Sequence, residues 1–243
     1  MRRFFVPPEN FKDSEVVFSQ DDIGHMRRVL RLRVGDHVHV LDGQGLRYLV
    51  RLTEVGKDAV KGEVLAREEV STESNVAIHL GQALLKGNAF DSVLRKSVEL
   101  GVGVVTALAS ERCEKKGDGS PEKRERWQKI VQAASMQSGR SEVPTVTADI
   151  LRVEQFCEQQ QNCDLKLIFW EEEENRRLKD LSPGTVPGSI ALICGPEGGL
   201  MPEEVQQAKC FGFTPVSLGS RILRAETAPI AALTLLQSIW GDM

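Results

Sequence analysis

Two patterns of apolar and polar positions divide the chain. Over the first 70 or so residues the apolar positions alternate in short runs. His37-Val38-His39-Val40-Leu41 has the period of two that predicts a strand, and Asp42-Gly43-Gln44-Gly45 then supplies a turn. Further strands are predicted over 47–55 and 59–66, separated by the turn Gly56-Lys57-Asp58. Closely spaced strands joined by Gly/Asp turns predict a small β-barrel or sandwich. A helical piece interrupts them, from Asp21 through His25 to about Arg31. Its apolar Met26, Val29 and Leu30, with Leu32 beyond, are expected to dock on the strands while Arg27, Arg28, Arg31 and Arg33 project outward. The polar run 68–75 is the candidate linker.

Beyond it, strand patterns alternate with helical ones. A strand is predicted over 76–85, then a helix capped by Asn88 with Phe90, Val93, Leu94 and Val98 at helical spacing. A strand follows at 102–109. Ser120-Pro121-Glu122 then opens a helix whose inward stripe is Trp127, Ile130, Val131 and Ala134. The apolar runs 165–170 and 190–194 suit strands buried on both faces. Helices are predicted from Pro202 and over 224–240, and the run Glu171-Glu172-Glu173-Glu174 is expected to be a solvated loop or helix start. This alternation predicts an α/β domain on a mostly parallel sheet. The division expected is residues 1–72 and 73–243.

At 243 residues, 41% hydrophobic and 27% charged, the composition is that of an ordinary globular chain of one to two domains. No apolar run approaches the ~18 residues of a membrane helix, and the apolar start breaks at Pro7, too early for a signal peptide. Five cysteines without a C-x-x-C pair fit reduced thiols and a cytoplasmic location, with Cys194 and Cys210 expected in the core. The four histidines show no zinc-ligand spacing, so no metal site is expected. The formal charge of −4 argues weakly against a nucleic-acid partner until its distribution is considered. Residues 1–70 hold 12 basic and 12 acidic groups. Residues 86–140 hold 11 basic against 7 acidic, Lys115, Lys116 and Arg140 among them, whereas 141–243 hold 8 against 15. The acidity is confined to the C-terminal part, and that objection lapses.

Two segments carry candidate chemistry. Cys194-Gly195-Pro196-Glu197-Gly198-Gly199 joins a predicted strand to a predicted helix. Glycines admit close backbone approach to a ligand, and amides at a helix start can meet an anion. The spacing matches neither the dinucleotide nor the P-loop pattern, and a tight connection without a ligand is the competing reading. The second, Leu218-Gly219-Ser220-Arg221-Ile222-Leu223-Arg224-Ala225-Glu226-Thr227-Ala228, brings charged side chains to the carboxyl end of another strand, where open α/β sheets bind ligands.

Together these segments resemble the paired signature of RsmE-type ribosomal RNA methyltransferases of the SPOUT superfamily. The resemblance extends to Lys96-Ser97-Val98-Glu99-Leu100-Gly101, Ser110-Glu111-Arg112, Gln137-Ser138-Gly139-Arg140 and His25-Met26-Arg27-Arg28-Val29-Leu30-Arg31, spanning essentially the whole chain. It implies a PUA-like β-barrel followed by an α/β domain with a C-terminal deep trefoil knot. It also implies S-adenosyl-L-methionine as cofactor, a homodimer, and methylation of uridine N3 in 16S ribosomal RNA of the small subunit. Met201 departs from the Ser that relatives often carry before the proline, and Met caps a helix poorly.

On this resemblance, Gly195, Pro196, Glu197, Gly198, Gly199, Leu218, Gly219, Ile222, Leu223 and Arg224 are expected to bind the cofactor. Arg224 is expected to meet developing oxyanion charge, with Glu197 or Glu226 accepting the proton, holding the ribose or orienting Arg224. Arg2, Arg3, His25, Arg27, Arg28, Arg31 and Arg140 are expected to grip RNA phosphates. A non-catalytic RNA-binding assembly factor, which would not need both glycine segments, and a SPOUT methyltransferase for another RNA are the competing classes.

Overall fold

The computed structural model describes residues 2–114, 120–181 and 185–243, so Lys115 and Lys116 lie outside the described residues. Residues 2–73 and Ser135–Val143 form one compact unit, and Ser74–Ala134 with Pro144–Met243 another.

The first unit is a six-stranded sheet built from β1 (Arg3–Phe5), β2 (Phe11–Lys12), β3 (Glu15–Val17), β4 (His37–Leu41), β5 (Leu46–Val55) and β6 (Val60–Glu69), in the order β1-β4-β5-β6-β3-β2. The alternation in β4 buries Val38 and Val40 against Phe4, Met26, Val50 and Leu52, and leaves His37 and His39 on the other face. Helix α1 (Gln20–Gly24) starts at Ser19, whose hydroxyl oxygen accepts from the Asp22 amide at 3.2 Å. The chain then widens into a π-helical turn, His25–Val29, in which the Leu30 amide reaches His25 O, five residues back, at 3.0 Å. The wider turn changes the facing. Met26 and Leu32 are buried and Leu30 is half-buried, but Val29 is 69% exposed among the arginines, contrary to the docking expected of it. The polar run is no loose linker. Glu68 and Glu69 belong to β6, and Thr72 Oγ1 accepts from the Ser141 amide at 2.7 Å.

The second unit runs β7 (Ala77–Ala83), α2 (Ala89–Glu99), β8 (Val104–Ala109), α3 (Pro121–Ser138), β9 (Thr145–Val146), β10 (Leu151–Arg152), α4 (Val153–Gln159), β11 (Leu165–Phe169), β12 (Ser189–Cys194), α5 (Pro202–Cys210), β13 (Thr214–Val216) and α6 (Ala228–Trp240). The last residues of α3 belong to the first unit. The sheet order is β10-β8-β7-β12-β11-β13 with β9 on β8, and these pairings are all parallel. Ile190 to Cys194 are buried throughout, as a central parallel strand requires. The chain leaves β10 for β11, returns inward at β12, and passes β11 again to place β13 at the edge. The strand order thus reverses beside β12, where open α/β sheets form ligand crevices.

Several local expectations are corrected. Asn88 occupies the N-cap position of α2 without a side-chain capping bond. Cys194 is buried, but Cys210 ends α5 on its exposed side, because helical spacing turns Val205 and Ala208 inward instead. Helix α6 begins at Ala228 rather than 224. Arg224 O first accepts from the Thr227 and Ala228 amides at 2.8 and 3.0 Å, and Pro229, which cannot donate, sits in the first turn. The short strands β1–β3, β9 and β10 and helix α4 had no periodicity long enough to announce them. No helix among the described residues is long and apolar enough to cross a membrane.

Candidate active site

The glycine loop after β12 is held from two neighbouring strands. Gln82, at the end of β7, donates from Nε2 to Gly195 O at 3.3 Å, and the Lys86 amide donates to Glu197 Oε1 at 2.8 Å. From the segment after β8, Arg112 donates to Gly198 O at 3.0 Å. Gly199 adopts φ +74°, a left-handed conformation that disfavours other residues, and a Cβ there would meet the Glu171 carboxylate. A Cβ on Gly195 would lie 2.9 Å from Leu200 Cγ. At α5 the capping problem raised by Met201 is solved from inside the helix, where Glu204 Oε2 accepts the Met201 amide at 2.9 Å.

The loop after β13 is held more sparsely. Ser217 Oγ accepts from the Gly219 amide at 3.2 Å and donates to Gly219 O at 3.1 Å, while Gly219 sits at φ +130° with open space around it. The Ser217 backbone pairs with 176–178, accepting from the Leu178 amide and donating to Arg176 O. Beyond it Arg221 and Arg224 are exposed, Leu223 and Glu226 are half-buried, and Ile222 is 84% exposed.

Both loops wall a single cavity of about 430 Å³, within the roughly 300–1,000 Å³ of small-molecule pockets. Gly195, Pro196, Glu197, Gly199, Leu218, Gly219, Ile222, Leu223, Arg224 and Glu226 all line it. Gly198 does not, its carbonyl being turned to Arg112. Sequence reasoning missed Phe169 and Trp170 and left open whether the loop beginning at Glu171 contacts a cofactor; all three supply another part of the wall. Their signal was positional, since they stand at the carboxyl end of β11 beside the other two strand ends. The Trp170 indole Nε1 is buried with no hydrogen-bond partner among the described residues. Burial pushes the Cys194 thiol up, so this cavity residue stays a neutral thiol rather than a nucleophile.

The basic residues divide differently. Arg27, Arg28 and Arg31 ride on and just after the wide turn of the first unit, Arg31 at φ +52°. Arg2 Nη1 donates to Leu30 O at 2.6 Å, and the His25 ring packs edge-on to Phe4 at 6.4 Å. Arg3 packs its guanidinium against Gly139. Arg140 corrects the sequence reading. It is buried with its guanidinium on Glu73, anchoring 135–143 to the first unit instead of presenting an open charge. Among the described residues no cluster of His, Cys, Asp and Glu is arranged to hold a metal ion.

A parallel sheet with strand-end loops around this cavity, in a chain that also carries a smaller sheet unit with exposed arginines, has the parts an enzyme acting on nucleic acid would need. Residues 72–237 match the RNA methyltransferase domain family, and 18–65 match the RNA methyltransferase PUA domain. The chain is 32% identical to ribosomal RNA small subunit methyltransferase E of Buchnera aphidicola subsp. Acyrthosiphon pisum over 94% of its own length and 90% of that protein's. Ribosomal RNA small subunit methyltransferase E from Neisseria gonorrhoeae, solved bound to S-adenosyl methionine, superposes with a TM-score of 0.90 at 36% identity, covering 100% of this chain and 99% of the other. A Legionella pneumophila methyltransferase solved with bound S-adenosyl methionine gives 0.90 at 34% identity, covering 99% and 98%. The chain belongs to the ribosomal RNA small subunit methyltransferase E family.

Proposed function

We propose that this protein transfers a methyl group from S-adenosylmethionine to N3 of a uridine in 16S ribosomal RNA of the small subunit. The observation that carries the reading is the convergence of both glycine-bearing loops on one cavity that also contains Arg224 and Glu226. The wall suits the donor. Leu218 and Leu223 offer an apolar bed for adenine, bare glycine backbone admits close approach, and Glu171, Glu197 and Glu226 complement a cationic ligand. When bound, S-adenosylmethionine supplies an electrophilic methyl on a sulfonium centre.

The chain's residues then have three tasks. The imide N3 of uridine is a weak nucleophile until its proton leaves. Glu226 is the better-placed acceptor, because Glu197 already takes the Lys86 amide and is assigned to shaping and charging the donor site. Arg224 meets the charge that develops on the uridine oxygens. The loops hold donor and base in line, which lowers the barrier without further chemistry.

The division into residues 1–72 and 73–243 is kept as a functional one, with the PUA-like barrel in the first part delivering RNA. Arg2, Arg3, His25, Arg27, Arg28 and Arg31 are its phosphate-facing groups, and the exposed Val29 among them adds apolar contact. The C-terminal segment is assigned the deep trefoil knot. Supporting it is the strand order, in which the chain returns inward at β12 and passes β11 again at β13. A homodimer is supported by the exposed Leu235 and Ile239 on α6 and by Met243 beyond it. The cytoplasm, where ribosomal RNA is made accessible, is the location.

Calorimetry with S-adenosylmethionine, followed by mapping of methyl groups on 16S ribosomal RNA from a deletion strain, tests the proposal. The expected result is saturable binding and one uridine-N3 methyl lost on deletion. A protein that fails to bind the donor supports the assembly-factor reading, and a methyl lost from another RNA changes the substrate.

A further inference from the structure

The segment Ser110-Glu111-Arg112, which follows β8, does not line the donor cavity, yet it is bonded to the loop that does. Glu204, buried in the first turn of α5, is the hub. Its Oε2 accepts the Ser110 hydroxyl at 2.9 Å and the Met201 amide at 2.9 Å, and its Oε1 accepts the Glu111 amide at 3.2 Å. One carboxylate thus ties the end of β8 to the start of α5. Arg112 extends the tie into the loop itself. Its Nη1 donates to Gly198 O at 3.0 Å and its Nε points at Met201 Sδ, 2.9 Å away. The fit is close on the loop side as well. A Cβ on Gly198 would lie 3.1 Å from Arg112 Cβ and 3.3 Å from Arg112 O.

Glycine-rich backbone has more conformational freedom to lose than any other, so a ligand that needs one loop shape must order it unless the protein has done so beforehand. The loop's own backbone contributes a turn bond, from the Gly199 amide to Pro196 O at 3.0 Å. An arginine that grips the carbonyl immediately before Gly199 removes much of the remaining freedom.

We propose that Arg112 is a positioning residue which, backed by the Ser110–Glu204 junction, latches Gly198 and so pre-forms the glycine loop for the methyl donor. It acts through the loop and touches neither donor nor RNA. The same contact explains Met201, whose sulfur occupies the guanidinium edge that faces α5. The proposal rests on the donor-binding reading above for its ligand, and its loop-ordering step can be measured without any ligand.

The test compares the full-length protein with Arg112→Ala and Arg112→Gln, the amide of Gln being able to donate to Gly198 O without the charge. Expected for Arg112→Ala is a donor Kd and donor KM raised about tenfold, the size of one lost charge-assisted hydrogen bond. Amide hydrogen exchange across 195–201 should quicken in the ligand-free protein, with the melting temperature and the RNA KM unchanged. Arg112→Gln should restore most of both. Unchanged donor affinity and exchange in Arg112→Ala would overturn the proposal. So would weakened RNA binding with a shallower salt dependence and intact donor affinity, which would make Arg112 an RNA contact, or Arg112→Gln behaving as badly as Arg112→Ala. If the parent protein binds no S-adenosylmethionine, the donor reading fails, while the exchange measurement still decides whether the latch exists.

Discussion

The two loops that wall the cavity are built on opposite principles. The one after β12 is bonded through Gln82, Lys86, Arg112 and Glu204 to the ends of β7 and β8, and its Gly199 lies against Glu171. The one after β13 is held at Ser217 and then runs out through exposed Arg221, Ile222 and Arg224 to α6. A fixed wall spares the ligand the entropy of ordering it, whereas an open wall can meet a large substrate that arrives from solvent. Under the proposed function, the contrast suits the first loop to a pre-shaped donor site, to which Leu218 and Leu223 of the second add an apolar bed. It suits the open end of the second, with Arg224 and Glu226, to the RNA base.

The sharpest way to break this division is Arg224→Ala. Methylation should fall about 10²–10³-fold, as for loss of one oxyanion donor, while donor affinity measured by calorimetry changes little. Loss of donor affinity in the same proportion would show that the open loop also binds. Acidification probes the fixed wall from behind, through the strands that carry it. His79 on β7 meets Thr106 on β8 at 2.8 Å, and burial lowers its imidazole from 6.5 to about 4. The folded protein therefore takes this proton later than the unfolded chain. Stability should be intact above about pH 6.5 and fall by roughly 2–3 kcal/mol toward pH 4. His79→Gln should flatten that portion of the melting profile, and a profile identical to the parent's would remove His79 as its source.

Smaller effects distinguish the loops directly. Gly199→Ala and Gly219→Ala both force a side chain into a positive-φ position, costing about 1–2 kcal/mol in backbone strain. Only Gly199→Ala also displaces Glu171, so it should be the more destabilising of the two and should weaken donor binding further. Denaturant unfolding that ranks them the other way would contradict the fixed-wall description. Smallest is Ile222→Ser, where 84% exposure predicts a stability change within about 0.5 kcal/mol. A larger loss of stability would mean that the open loop is covered, for instance by a second copy of the chain.

Much of this molecule was readable from local pattern. Strands such as His37–Leu41 and Ser189–Cys194 and helices such as Ala89–Glu99 declare themselves, because alternation, unbroken apolar runs and helical spacing are properties of neighbouring residues. The two glycine segments are equally visible, although glycine turns are common at strand ends, and it was their pairing in one resemblance that marked them as a site. Val29 was misplaced because a π-helical turn has no distinctive composition and shifts every residue after it. Cys210 was misplaced because an apolar neighbourhood does not reveal which side of a helix a residue faces.

By itself the sequence determined the class of fold and the distribution of charge between the regions, which follow from the order of residue types. It offered the two glycine loops as candidates that a family resemblance then singled out. Only the tertiary structure decided which residues share a wall and which merely hold it. It placed Glu171 in the cavity and Gly198 outside it, and it turned Arg140 into a buried partner of Glu73. It also brought Glu204, 94 residues beyond Ser110, onto that hydroxyl. These are contacts between segments far apart in the chain. Strand order and packing set them, and no local pattern encodes them.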